Sequence, residues 1–122
     1  MSITSDLDRE VTSDVRPWGS WEVLDQGRDY KVKRLTVRGS SRLSLQTHAH
    51  RSEYWMVVAG TATCVVGDRE LVMEAGESVR VPVGTPHRIG NDQEDDLILV
   101  EVQLGAYLGE DDIVRLEDDY GR

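Results

Sequence analysis

The stretch QTHAHRSEYW, residues 46–55, places Gln46, His48, His50 and Glu53 within eight residues. Imidazole nitrogens, a carboxylate and an amide oxygen form the kind of mixed donor set that divalent cations take in proteins. Side chains of an extended chain alternate between faces. A strand over 42–50 therefore puts Arg42, Ser44, Gln46, His48 and His50 on one face, and Leu43, Leu45, Thr47 and Ala49 on the other. Beyond a bend at Arg51-Ser52, Glu53, Trp55 and Val57 share a face of the next strand. These donors can converge without a helix. A lone histidine on a strand is ordinarily just hydrogen-bonded, which is the default reading of His50. A distant third histidine, His87 in GESVRVPVGTPHRIGN, can complete the set.

The elements that must position these residues read as strands. WEVLD, YKVKRLTV, RLSLQTHAH, EYWMVVAG, TATCVVG, ELVME, SVRVPV and LILVEVQL are short runs with β-prone or alternating texture. Between them lie QGRD, RGSS, GDRE, EAGE, VGTP and GNDQEDD, rich in turn residues. VVGDREL reads as a hairpin turning at Gly67-Asp68. Strands at this spacing, with no helical pattern among them, predict an all-β sandwich or barrel. The closing YLGEDDIVRLEDDYGR is read either as one helical turn near 110–116 or as an extended wrap. Residues 1–15 lack periodicity and are expected to form a flexible arm ahead of a single domain over 16–122.

With 122 residues, 39% of them hydrophobic, the chain can build one core. No apolar run approaches the ~20 residues of a membrane span, and MSITSDLDRE lacks the basic and apolar regions of a secretory signal. The expectation is no membrane partner and a cytoplasmic setting. Cys64 is the only cysteine, which excludes an internal disulfide and suits a reducing compartment; its apolar neighbours mark it as core. Of the net charge of −9, −7 falls in residues 1–15 and 106–122, so the body is nearly balanced. Nucleic acid is not an expected partner, because backbone binding needs clustered Lys and Arg. A small anionic ligand remains open.

The second stretch carries a resemblance. Gly76, Pro82, Gly84, His87 and Asn91 match every fixed position of the second motif of the cupin superfamily. Gly60, Glu53 and His48 match the first motif, with Gln46 in its first histidine slot and Ser40 in place of its opening glycine. RPWGSWEVLDQG, YKVKRLTV, RLSLQTHAHRSEYW, VPVGTPHRIGN and EVQLGAYLGEDDIVRLEDDYGR together resemble the C-terminal phosphomannose isomerase domain of the bifunctional type II mannose-6-phosphate isomerase/mannose-1-phosphate guanylyltransferases. Ala49 and Tyr54 stand where that family usually carries histidine. Nothing resembles the glycine-rich nucleotide loop of the transferase half, so the chain is not expected to handle GTP.

The resemblance implies a cupin double-stranded β-helix, or jelly-roll barrel, with one divalent metal held by Gln46, His48, Glu53 and His87. Zn²⁺ is the first expectation, with Mn²⁺, Fe²⁺ and Ni²⁺ behind it. It also implies interconversion of mannose 6-phosphate and fructose 6-phosphate through a cis-enediol, which needs a general base. His50, placed on the pocket face and titrating near neutrality, is the first candidate. Glu101, a carboxylate among apolar neighbours, is the second; its alternative is an ion pair with Lys31 or Lys33. Arg42, Lys33 and Arg88 are the candidates for the substrate phosphate, and Arg16 is read as a surface charge. Trp18 and Trp55 are read as packing residues. A homodimer is expected, because the edges and apolar outer face of a jelly roll need cover. Two other functions stay open: a non-catalytic cupin binding a sugar or sugar nucleotide, or an iron-dependent cupin dioxygenase. An empty, vestigial site is the remaining alternative.

Overall fold

The computed structural model describes residues 12–121, and all regular structure among them is β. The first sheet contains β1 (Ser13–Arg16), β2 (Gly19–Gln26), β3 (Tyr30–Val37), β6 (Ser52–Ala59), β9 (Ser78–Val81) and β11 (Leu97–Leu104). Their spatial order is β1-β2-β3-β11-β6-β9. The second sheet contains β5 (Leu45–Thr47), β7 (Ala62–Val66), β8 (Arg69–Met73), β10 (His87–Asn91) and β12 (Val114–Glu117), in the order β12-β5-β10-β7-β8. The short β4 (Ser41–Arg42) also pairs with β10. All of these pairings are antiparallel.

Alternation decides what lies between the sheets. In β3, Lys31, Lys33, Leu35 and Val37 point inward; in β11, Leu97, Leu99, Glu101 and Gln103 do. At one end the interior is hydrocarbon: Trp18, Trp21, Leu35, Val37, Val57, Ile89, Leu97 and Leu99 form the core. At the other end the same rows become polar. Register sets Lys31, Gln103 and Glu53 side by side, and Lys33, Glu101 and Trp55 in the next row. A jelly roll filled with apolar groups along half its length and charged groups along the rest has a built-in site.

Several expectations change in detail. Of the arm expected over 1–15, residues 13–15 belong to β1, bonded to β2, and residues 1–11 lie outside the described part. HRIGN, which the strand texture left unassigned apart from its turn residues Gly90 and Asn91, is β10, a fully buried strand inside the second sheet. The hairpin at Gly67-Asp68 is present; Gly67 takes φ +64°, the sign that a two-residue loop needs at its first central position. The closing segment is extended: Glu110 and Asp111 form a turn, and β12 follows.

The single strand expected over 42–50 is broken twice. Leu43 and Ser44 are both buried, so the alternation slips between β4 and β5. The slip is fixed by Leu43, whose N–H goes to Ile89 O (2.9 Å) and whose carbonyl accepts Arg88 Nε (2.9 Å). β5 then stops at Thr47 because the next N–H groups leave the ladder. Ala49 N and His50 N donate to Asp112 Oδ1 (2.8 Å) and Oδ2 (2.9 Å).

Candidate metal centre

Three buried side chains meet at the polar end of the barrel. One ligand atom from each of His48, Glu53 and His87 lies within 4.8 Å of the others. His48 follows β5, Glu53 is in β6 and His87 opens β10, so the two sheets and the intervening bend each contribute. His48 Nε2 is 3.0 Å from Glu53 Oε2, and His87 Nε2 is 3.7 Å from Glu53 Oε1. Gln46 is buried in the same pocket, directly opposite His87 in the β5–β10 pairing.

The tautomers suit a cation. A carbonyl oxygen can only accept, so His48 Nδ1 donates to Asp112 O (2.6 Å) and His87 Nδ1 to Thr85 O (2.8 Å). In the neutral rings this leaves both Nε2 lone pairs facing Glu53. His87 Nε2 is buried with no hydrogen-bond partner. Orphaned buried polar atoms are rare, and a metal ion is the group that would satisfy this one. Burial also lowers the His87 pKa, only partly offset by Glu53, which keeps the ring in its ligating form. Burial works against the Glu53 charge, but a hydrogen bond from His48, available when Nε2 also carries a proton, and the charge of Arg51 outweigh it in the metal-free site, holding the carboxyl well below its usual range. A carboxylate with two lone-pair nitrogens, each steered by its other ring nitrogen, fits a divalent ion.

Arg51 is the residue that sequence reasoning passed over. It was assigned to a bend, yet it is only 7% exposed. Its Nε and Nη2 lie 2.8 and 2.7 Å from Glu53 Oε2, and Nη2 lies 3.2 Å from His48 Nε2. Burial works against its charge, but Glu53 and Glu101 together raise its pKa. The signal was present in the spelling HAHRSE, which sets a cation, Arg51, between the candidate ligands His48 and Glu53. Asp112 was also missed: one residue fixes the bend at 49–50 through its carboxylate and the His48 ring through its carbonyl. Burial pushes its pKa up, but the two backbone N–H groups win and lower it.

Of the two base candidates, only Glu101 lines this pocket. It is 5% exposed, and burial, then the nearby Glu53 charge, push its pKa up to about 8. It faces Lys33 across the β3–β11 ladder, but the ion pair weighed for it is not the contact made. Lys33 Nζ goes to Glu110 Oε2 (2.6 Å), and Glu101 Oε1 accepts Gln103 Nε2 (2.7 Å). His50 is exposed and turned toward Tyr107 (ring centroids 5.8 Å apart), because Asp112 ends the strand that was to aim it inward.

The phosphate candidates divide in the same way. Lys33 lines the pocket, buried against the Trp21 ring (3.9 Å). Arg42 does not: the slip at Leu43-Ser44 turns it outward, onto both carboxylate oxygens of Asp119 (2.7 and 3.0 Å). Arg88 alternates away from His87 and is spent on Leu43 O and on Glu117 of β12 (Nη1–Oε1 2.7 Å). Arg16, read as a surface charge, and Arg115 line the pocket along with Arg51. Trp55 is fully buried in the core, with Nε1 donating to Glu53 Oε1 (2.9 Å). Cys64 is buried as expected, its thiol pushed up to about 12 by burial.

Residues 5–118 match the family described as mannose-6-phosphate isomerase C-terminal. The chain belongs to this family. As a mannose-6-phosphate isomerase C-terminal domain it is 50% identical, over 107 residues, to the xanthan biosynthesis protein XanB of Xanthomonas campestris pv. campestris (strain B100), covering 88% of this chain and 23% of XanB. It is 43% identical over 127 residues to the alginate biosynthesis protein AlgA of Pseudomonas aeruginosa, and 48% identical over 107 residues to a mannose-1-phosphate guanylyltransferase of Salmonella montevideo. Those matches cover 98% and 88% of this chain, and 26% and 23% of the relatives. The domain thus spans about a quarter of these relatives' length.

The fold is that of the cupins. A protein with a double-stranded β-helix domain from Klebsiella pneumoniae superposes with TM-score 0.68 at 20% identity, over 80% of this chain and 83% of that one. Oxalate decarboxylase of Lactobacillus farciminis superposes with TM-score 0.74 at 18% identity, over 85% of this chain and 33% of that one. Among the described residues no helix is long and apolar enough to cross a membrane.

Proposed function

We propose that the domain is a metal-dependent aldose–ketose isomerase interconverting mannose 6-phosphate and fructose 6-phosphate through a cis-enediol. The observation that carries this reading is the placement of Glu101 in the same pocket as His48, Glu53 and His87. The reaction moves one proton between C1 and C2 and one between their oxygens, so it needs a group that can take and return the carbon-bound proton near neutral pH. Glu101 is a carboxyl of this kind: in the metal-free site burial and the Glu53 charge raise it to about 8, and a cation held by Glu53 would draw it down from there. Gln103 donates to one of the Glu101 oxygens, and the acid's own proton can be shared with Glu53. His48, Glu53, His87 and Gln46 would hold the ion. When bound, it supplies Lewis acidity toward the oxygens on the reacting carbons. Lys33, Arg51, Arg16 and Arg115 give the pocket the cations that a phosphorylated sugar requires.

Zn²⁺ is the proposed metal, Mn²⁺, Fe²⁺ and Ni²⁺ being the other ions that this donor set accepts. The proposed setting is the cytoplasm and the proposed unit a homodimer, supported by Tyr54, Met56 and Val58 standing exposed along β6. The family's usual histidines at 49 and 54 have no bearing on the pocket, since Ala49 and Tyr54 both face out. The test is metal analysis of purified protein followed by a coupled mannose 6-phosphate assay. About one ion per chain and turnover lost in Glu101→Gln with the ion retained are expected. Bound metal without turnover would leave the binding-only cupin, a reading favoured by relatives that are named for a guanylyltransferase activity.

A further inference from the structure

The segment joining β11 to β12 contributes Glu110 and Ile113 to the lining of the pocket. It is tied at one end by Gly105 N donating to Asp29 O (3.1 Å) and at the other by Asp112. Between these anchors Ala106, Tyr107 and Glu110 are exposed. Glu110 nevertheless sends its carboxylate inward: Oε2 is 2.6 Å from Lys33 Nζ and 3.8 Å from Lys31 Nζ. The lysines are 4% and 7% exposed, whereas the Glu110 side chain keeps 34% of its surface in solvent. Glu110 also borders two cavities. One is the pocket holding Lys33, His48 and Glu101; the other is an outer groove lined by Arg28, Tyr30, Lys31, Tyr107 and Leu108. It is part of the wall between them.

A single carboxylate oxygen is a poor match for two buried ammonium groups. It meets one at contact and the other only at long range. A phosphate monoester brings up to two negative charges and three acceptor oxygens. Both ammoniums are already held in place, Lys33 over the Trp21 ring and Lys31 by Leu108 O (3.0 Å). The geometry points to a phosphate-monoester subsite at Lys31 and Lys33, with Glu110 as its gate: the carboxylate stands in for the phosphate and swings out when the phosphate arrives, joining the pocket to the outer groove. The identity of the ligand rests on the isomerase reading. The alternative is a carboxylate that only neutralises two lysines.

Inorganic phosphate is the probe, on the full chain with chelator present and chloride at matched ionic strength. Thermal unfolding is followed against phosphate concentration. In Glu110→Gln the half-saturating phosphate falls by roughly tenfold relative to wild type, the size of a typical coupling between competing groups. Lys33→Met added to that variant removes the response. In the wild type, phosphate shifts the NMR amide signals of residues 109–111 and of Lys31 and Lys33, which decides the matter if Glu110→Gln folds poorly. An unchanged half-saturation, a response that survives Lys33→Met, or amide shifts confined to other segments overturns the gate. A protein that isomerises but fails these tests keeps its function and loses the gate. One that passes without isomerising keeps the subsite and loses the proposed reaction.

Discussion

The imidazoles of His48 and His87 lie 4.7 Å apart, centroid to centroid, with their planes at 48°. They are separated by 39 positions in the chain and reach each other because β5 pairs with β10. Each ring spends Nδ1 on a backbone carbonyl and turns Nε2 toward Glu53. The pair is therefore oriented by the main chain before any ion arrives.

Arg51 occupies the atoms for which an ion would compete, Glu53 Oε2 and His48 Nε2. Arg51→Ala buries Glu53 with less compensation and should lower the metal-free unfolding free energy by about 3 kcal/mol. Added Zn²⁺ should then raise the stability of Arg51→Ala more than that of the wild type. Urea unfolding with chelator and with Zn²⁺ measures both; an equal metal effect in the two proteins would end the competition argument.

Asp112→Ala removes two charge-assisted acceptors from the bend at 49–50. The expected loss is about 1–3 kcal/mol of stability. It also loosens the carbonyl that steers His48, so metal affinity should fall by about 10–100-fold. Competition with a fluorescent chelator reads the second effect, and retention of full affinity would contradict the steering role.

Glu101 gives a pH signature in metal-free protein. Its folded pKa, near 8, lies above the ordinary carboxylate range, so the folded state binds the proton more tightly than the unfolded chain does. The contribution is fully present below the unfolded pKa of about 4.3. It is lost as pH rises toward 8. Glu101→Gln cannot ionise and should flatten this decline. Urea midpoints at acidic, neutral and mildly alkaline pH, with chelator, compare the two; parallel curves would place the titration elsewhere.

The two outward-facing candidates supply a negative control. Arg42→Ala breaks an exposed ion pair worth no more than about 1 kcal/mol and should leave KM for mannose 6-phosphate unchanged. His50→Ala should leave kcat unchanged. Steady-state kinetics test both, beside Lys33→Ala, which should raise KM. A collapse of kcat in His50→Ala would restore that imidazole to the reaction.

Much of the fold was legible because strand texture and turn residues are local. The segment 30–37 alternates as YKVKRLTV and does form β3, and Gly67-Asp68 does turn the hairpin. β10 was not legible, because HRIGN is short and lacks alternation; its burial comes from neighbours on both sides. Gln46, His48, Glu53 and His87 could be named from residue types and motif spacing. Arg42 and His50 were misplaced because a two-residue period was carried through a slip and past a strand end, both fixed by partners 45 to 63 positions away: Ile89, Arg88 and Asp112.

By itself the sequence determined the all-β class, which follows from short-range period and turn residues, while the candidate donors Gln46, His48, Glu53 and His87 came from its resemblance to the cupin motifs. Only the tertiary structure decided which donors share a pocket, that Arg51 sits among them, and that Glu101 rather than His50 is the inward acid. Those outcomes depend on strand register and on which distant carbonyl or carboxylate claims a given N–H, and that is settled only when the two sheets close on each other.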